Sequence, residues 1–129
     1  MSEQWVYPNA TLVRVTDGDT FAARLARSAD FGFHIVEITV SVQRFRLNRA
    51  AAAPKSTPSG AGAAARLAEL LSGLFTLTSV GPYKYGDEWM AEVALSDGRN
   101  LTDVLVTEQW AAPWNGRGAQ PSPPWPRTV

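Results

Sequence analysis

Apolar and polar positions alternate along much of the chain, and the parity of that alternation marks strands. Val13 and Val15 alternate with Arg14 and Thr16, then Phe21, Ala23 and Leu25 with Ala22 and Arg24, so residues 11–25 read as two strands joined at Asp17-Gly18-Asp19. In the next strand Val36, Ile38, Val40 and Val42 share one face and Glu37, Thr39, Ser41 and Gln43 the other. Past Gln43 the parity flips, because Phe45 and Leu47 become the apolar positions; a bulge near Gln43-Arg44 is the expected cause. Residues 48–56 carry no strand pattern. Thr57 then offers an N-cap and Pro58 a first helical residue, and Ala64, Leu67, Ala68, Leu70 and Leu71 recur at helical spacing, predicting a helix from Pro58 to Ser72 that stops at Gly73. Two further strands are expected over Leu74–Val80 and Trp89–Leu95. After the Asp97-Gly98 turn, Asn100 caps a short helix from Leu101 to Glu108.

Three strands, a helix, two strands and a helix predict an α+β chain built on a five-stranded β-barrel of the OB-fold type. The organisation reads as an N-terminal arm over residues 1–9, a barrel domain over 10–112, and a Pro/Trp-rich tail over 113–129. That tail holds five of the nine prolines and two of the five tryptophans, so polyproline II is its expected local conformation.

Composition narrows the chemistry. The 129 residues contain no Cys, which leaves disulfides, thiolate zinc sites and cysteine nucleophiles without their residues, and the single His34 argues against histidine metal clusters and His/Asp relays. Twelve basic residues balance twelve acidic ones, so the chain carries no overall basic excess of the kind nucleic-acid binding usually shows. No apolar run approaches the roughly 20 residues of a membrane span, and Met1-Ser2-Glu3-Gln4 lacks the basic start of a signal peptide. A cytoplasmic protein without a membrane partner is the expectation. Gly60-Ala61-Gly62-Ala63-Ala64-Ala65 imitates a dinucleotide fingerprint but follows Pro58-Ser59 rather than a strand, so it carries no such role.

Four blocks occur in a telling order: Val13-Arg14-Val15-Thr16-Asp17-Gly18-Asp19-Thr20-Phe21, then Arg46-Leu47, then Lys84-Tyr85-Gly86 with Trp89-Met90-Ala91-Glu92-Val93, then Asp97-Gly98-Arg99-Asn100-Leu101. Over residues 10–112 the chain resembles the staphylococcal nuclease (thermonuclease) family, calcium-dependent phosphodiesterases on an OB barrel. The resemblance implies that Asp19, with Asp17 beside it, stands at a metal-ligand position and Arg46 at a phosphate-neutralising one. It also implies losses. The second metal carboxylate falls on Ala51, the glutamate that handles the attacking water on Pro54, and the second arginine on Asp87. Each such group typically contributes ~2.7–4 kcal/mol to transition-state stabilisation, so their joint loss removes several orders of magnitude in rate.

The remaining candidates keep two readings each. Arg44 and Arg49, with Arg46, form either a residual phosphate patch or solvated barrel positions. Tyr85, with Tyr83, either stacks on a nucleotide or packs at the barrel mouth. Trp114 and Trp125 either grip a partner or pack within the chain. The expected function is a catalytically degenerate binding module with a protein partner or a second copy of itself, and weak nucleic-acid binding at most. The alternative is a residual phosphodiesterase in which Asp87 or Glu88 replaces a lost ligand. No cofactor is expected, with calcium the candidate for a vestigial site.

Overall fold

The computed structural model describes residues 5–30, 35–52, 57–82 and 88–114. Three long strands come first, β1 (Trp5–Asp17), β2 (Thr20–Asp30) and β3 (Ile35–Leu47), followed by a two-residue strand β4 (Ala50–Ala51) and helix α1 (Pro58–Leu70). Strands β5 (Phe75–Pro82) and β6 (Trp89–Ala94), helix α2 (Leu101–Thr107) and a second two-residue strand β7 (Ala112–Pro113) complete the order. The strands β1-β2-β3-β6-β5 close into a barrel, and β4 pairs with β7 outside it. Pairing is parallel between β3 and β6, from Phe45↔Trp89 to Leu47↔Ala91, and antiparallel elsewhere in the barrel. This is an OB-fold-like α+β barrel, as the strand and helix pattern predicts.

Three phenylalanines fill the barrel. Phe21 and Phe45, cross-strand partners, have ring centroids 6.0 Å apart, and Phe21 meets Phe75 edge-on at 6.3 Å. Leu25, Leu47, Leu77, Val93, Leu101 and Leu105 extend this core, and α1 adds Ala63 and Leu67. The helix begins where the sequence predicts: Thr57 Oγ1 accepts a hydrogen bond from the Gly60 N–H at 3.1 Å, and Pro58 occupies the first turn. Asn100 caps α2 in the same way, accepting from the Asp103 N–H at 3.0 Å. None of the described helices is long and apolar enough to cross a membrane.

Four features depart from the sequence pattern. There is no bulge at Gln43-Arg44: pairing runs in register from Thr20↔Arg46 to Arg27↔Thr39, and the shift lies between Arg27 and Ser28. The parity flip is therefore a true change of face. Phe45 and Leu47 point into the barrel, whereas Val42 stands on the outside at 53% exposure. Among the described residues β6 pairs with β3 at Phe45–Leu47, where the apolar side chains face the interior, and Val42 lies before that pairing, opposite Arg24 of β2. A register shift between Leu12 and Arg14 likewise leaves Val13 exposed while Leu12 packs on the core. Strand β1 also starts earlier than the alternation suggests, pairing Trp5, Val6 and Tyr7 with β5 inside the segment read as an arm. Finally, residues 48–56 and the start of the tail are not wholly irregular, because Ala50 pairs with Pro113 and Ala51 with Ala112.

Helix α1 approaches the β1–β2 turn so closely that a side chain at Gly18 has no room. A Cβ there would lie 2.4 Å from the Ala63 Cβ and 3.0 Å from the Ala52 Cβ. Gly62 has a similar role against Trp110, whose ring would meet an added Cβ at 2.4 Å. Gly18→Ala is expected to destabilise the fold by about 1–3 kcal/mol through overpacking, measured as a lowered urea midpoint at unchanged slope.

Candidate functional site

Gly18 and Asp19 form the turn between β1 and β2, with Asp17 paired to Thr20 at its base. Asp19 is only 3% exposed although it is a carboxylate in a turn. Burial of that kind requires partners, and Asp19 has them on every side. Its Oδ2 accepts from the Ala52 N–H at 2.9 Å, its Oδ1 from the Thr20 hydroxyl at 2.8 Å, and its backbone carbonyl from the Leu47 N–H at 2.9 Å. Arg46 Nη2 lies 3.4 Å from the same Oδ2. The turn is thus tied to the end of β3 and to the segment that follows β4.

Arg46 has a second acid within ion-pair distance, Glu88, whose Oε1 is 3.8 Å from Nη1. The Trp114 ring covers its guanidinium, with the centroid 5.8 Å from Cζ, inside the range of a cation–π contact. Trp114 is held there by the β4–β7 pairing and by its own N–H, which donates to the Arg49 carbonyl at 2.8 Å. The structure therefore assembles Asp19, Thr20, Arg46, Glu88 and Trp114 into one cluster at the end of β3.

The residues do not suit a bound calcium ion. That ion takes several oxygen ligands with enough negative charge to replace water. Here the would-be ligand oxygen of Asp19 already faces an N–H and a guanidinium, and Ala51, buried among the core side chains, offers no side-chain oxygen. Among the described residues no group of three or more His, Cys, Asp or Glu side chains is placed to hold a metal.

Arg49 is drawn into a different network. It adopts a left-handed backbone, φ +71°, a conformation that costs a non-glycine residue of order ~1–3 kcal/mol. Its guanidinium forks onto Glu92 at 2.8 and 2.9 Å and reaches Asp103 at 3.3 Å. Glu92 also accepts from Asn48 at 2.8 Å and from Asn100 at 3.0 Å, so one carboxylate joins the β3–β4 loop, β6 and the start of α2. Burial works against its charged form, but the hydrogen bonds from Arg49, Asn100 and Asn48 outweigh it and hold the Glu92 carboxyl below its ordinary value of 4.5. The same hydrogen bond to Glu92 holds Arg49 above its ordinary value. Arg49 thus pairs with Glu92 and Asp103, apart from the Asp19 cluster.

Arg44 stands exposed on the outer face of β3, two residues from Arg46, and is not part of the cluster. Pro54, Tyr83, Tyr85, Asp87 and Trp125 lie outside the described residues. The partner the sequence could not offer is the Ala52 N–H, since any residue but proline supplies one and only the chain path brings it to Asp19. Against known proteins, no family model and no curated protein matches the chain.

A carboxyl held low stabilises the fold above its unfolded value, and that contribution is lost as pH falls through the folded value. Stability is therefore expected to hold down to the ordinary Glu92 value of 4.5 and to decline below it. Glu92→Gln should start lower and show a shallower acid limb, measured by urea unfolding across the acid range.

Proposed function

We propose that this chain is a catalytically degenerate barrel of the staphylococcal nuclease kind that serves as a non-catalytic binding module for a protein partner. The observation that carries this reading is the saturation of Asp19. The acid in the best position to hold a catalytic cation is buried, and it accepts from a backbone N–H, a hydroxyl and a guanidinium. Arg46, which would meet a phosphate, is shared between Asp19 and Glu88 and lies under an indole. Charges matched within the chain are poor tools for stabilising charge that develops on a substrate. Trp114, at the start of the Pro/Trp-rich tail, belongs to the same cluster and so couples the tail to the barrel.

One observation favours a second reading, residual phosphodiesterase activity: the Glu88 carboxylate reaches Arg46 at Nη1 while Asp19 lies at Nη2, giving the cluster two acids. Two measurements separate the readings. With calcium, magnesium or manganese at millimolar concentration, the chain is expected to leave single-stranded DNA and RNA intact. Cleavage lost in both Asp19→Ala and Arg46→Ala would establish the second reading. Stability gives an independent check. Carboxylates poised for an absent cation repel one another, and removing one stabilises the apoprotein. Asp19→Ala is expected to do the reverse here, lowering unfolding free energy by about 3 kcal/mol, because it orphans the Ala52 N–H and the Thr20 hydroxyl and leaves Arg46 with less compensation.

A further inference from the structure

The zero net charge of the chain conceals a strongly basic outer face. Strand register places residues of β1, β2 and β3 in rows, and side chains of one row share a side of the sheet. One row is Arg14–Ala22–Arg44, the next toward the hairpin end is Thr11–Arg24–Val42, and the next toward the turn is Asp17–Thr20–Arg46. Arg14, Arg24 and Arg44 are all exposed. None of the three has a carboxylate within ion-pair distance among the described residues, whereas Arg46, Arg49, Arg66 and Arg99 each do. Neighbouring strands lie about 4.8 Å apart and successive same-face residues about 6.8 Å apart, so three guanidinium groups with no such carboxylate among the described residues share a patch about 10 Å wide. Like charges so placed repel one another. An anionic ligand relieves that repulsion.

Two exposed aliphatic side chains complete the surface, Val42 in the Arg24 row and Val13 in the register shift beside Arg14, 53% and 42% exposed. No described aromatic side chain of the kind on which nucleobases stack lies on these rows. Arginine is enriched in protein interfaces, and here the two aliphatic side chains add apolar surface beside three guanidinium groups. An extended peptide presents same-face side chains at the pitch of the rows themselves, and each arginine forks onto a carboxylate. Resting on the reading of the chain as a binding module, we propose that the outer face of β1–β2–β3, through Arg14, Arg24 and Arg44 with Val13 and Val42, binds an extended acidic polypeptide segment that also carries aliphatic side chains.

The test uses the full chain and three fluorescein-labelled probes, followed by anisotropy at low and moderate salt: a decapeptide of alternating Glu and Val, one of alternating Glu and Ser, and decathymidylate. The Glu/Val peptide is expected to bind, and to lose about tenfold or more in affinity with the Arg14→Ser/Arg24→Ser/Arg44→Ser variant and with the single variant Arg24→Glu. Arg99→Ser, a change at an exposed arginine paired to Asp97, should leave binding unaltered. The Glu/Ser peptide should bind several-fold more weakly, and Val13→Ser/Val42→Ser should erase that difference. Absence of Glu/Val binding, or equal binding by the triple variant, overturns the proposal. Tighter binding of decathymidylate through the same arginines overturns it in favour of a nucleic-acid surface. Peptide binding by a chain that also cleaves nucleic acid would refute the non-catalytic reading and leave this surface standing, so the two fail separately.

Discussion

A single buried carboxylate organises the working end of this barrel. Asp19 sits in a turn, where a charged side chain would ordinarily be solvated, yet it is almost wholly enclosed. The cost of removing a carboxylate from water is several kcal/mol, so its surroundings must supply compensating donors. They do so from three places in the chain: the neighbouring hydroxyl of Thr20, the guanidinium of Arg46 at the end of β3, and the N–H of Ala52 beyond β4. Thr20 and Arg46 are held by barrel strands and Ala52 follows the β4–β7 pairing, so the turn, the end of β3 and the alanine segment form one unit. The close approach of α1 to Gly18 follows from the same geometry, since the segment bonded to Asp19 also packs against the helix.

The alanines at positions 50–52 acquire a physical meaning in that setting. Ala50, Ala51 and Ala52 are buried, and Gly18 and Ala63 crowd the space beside Ala52. Small side chains suit a segment that runs between a helix and a turn and donates a backbone hydrogen bond to a carboxylate. A protein interior tolerates little added volume at such density. Glu92 performs the same kind of service a short distance away, joining Asn48, Arg49 and Asn100 across the β3–β4 loop and the start of α2. Two acids thus anchor the segments that follow β3, Asp19 through Ala52 and Glu92 through Asn48 and Arg49. This leaves Arg46, Glu88 and Trp114 as the groups at the surface of the site.

The distribution of arginines divides the molecule by role. Arg46, Arg49 and Arg66 are bound to acids and hold elements together, Arg66 joining α1 to α2 through Glu108 at 2.7 Å. Arg14, Arg24 and Arg44 face outward on three adjacent strands with no such acid among the described residues. Beneath the neutral total lie a framework of matched charges and an outer face that carries three exposed arginines. Only the register of the strands makes this partition visible.

By itself the sequence determined the barrel class, because local signals suffice for it. Strands alternate with period two, Thr57 and Asn100 cap helices by reaching their own third neighbour, and Gly73 and Gly98 take positive φ where helix or turn must end. The Asp17-Gly18-Asp19-Thr20 turn was legible for the same reason: it lies in a short, self-contained pattern. What only the tertiary structure decided concerns pairings distant in sequence. The parity change past Gln43 has no local cause: Phe45 and Leu47 face the interior where β3 meets β6, and Val42, before that pairing, faces outward. Arg49 was chemically indistinguishable from a phosphate-binding arginine until the fold brought Glu92 and Asp103 to it. The fate of Asp19 depended on the N–H of Ala52, a donor that every non-proline residue carries and that becomes specific only through the path of the chain.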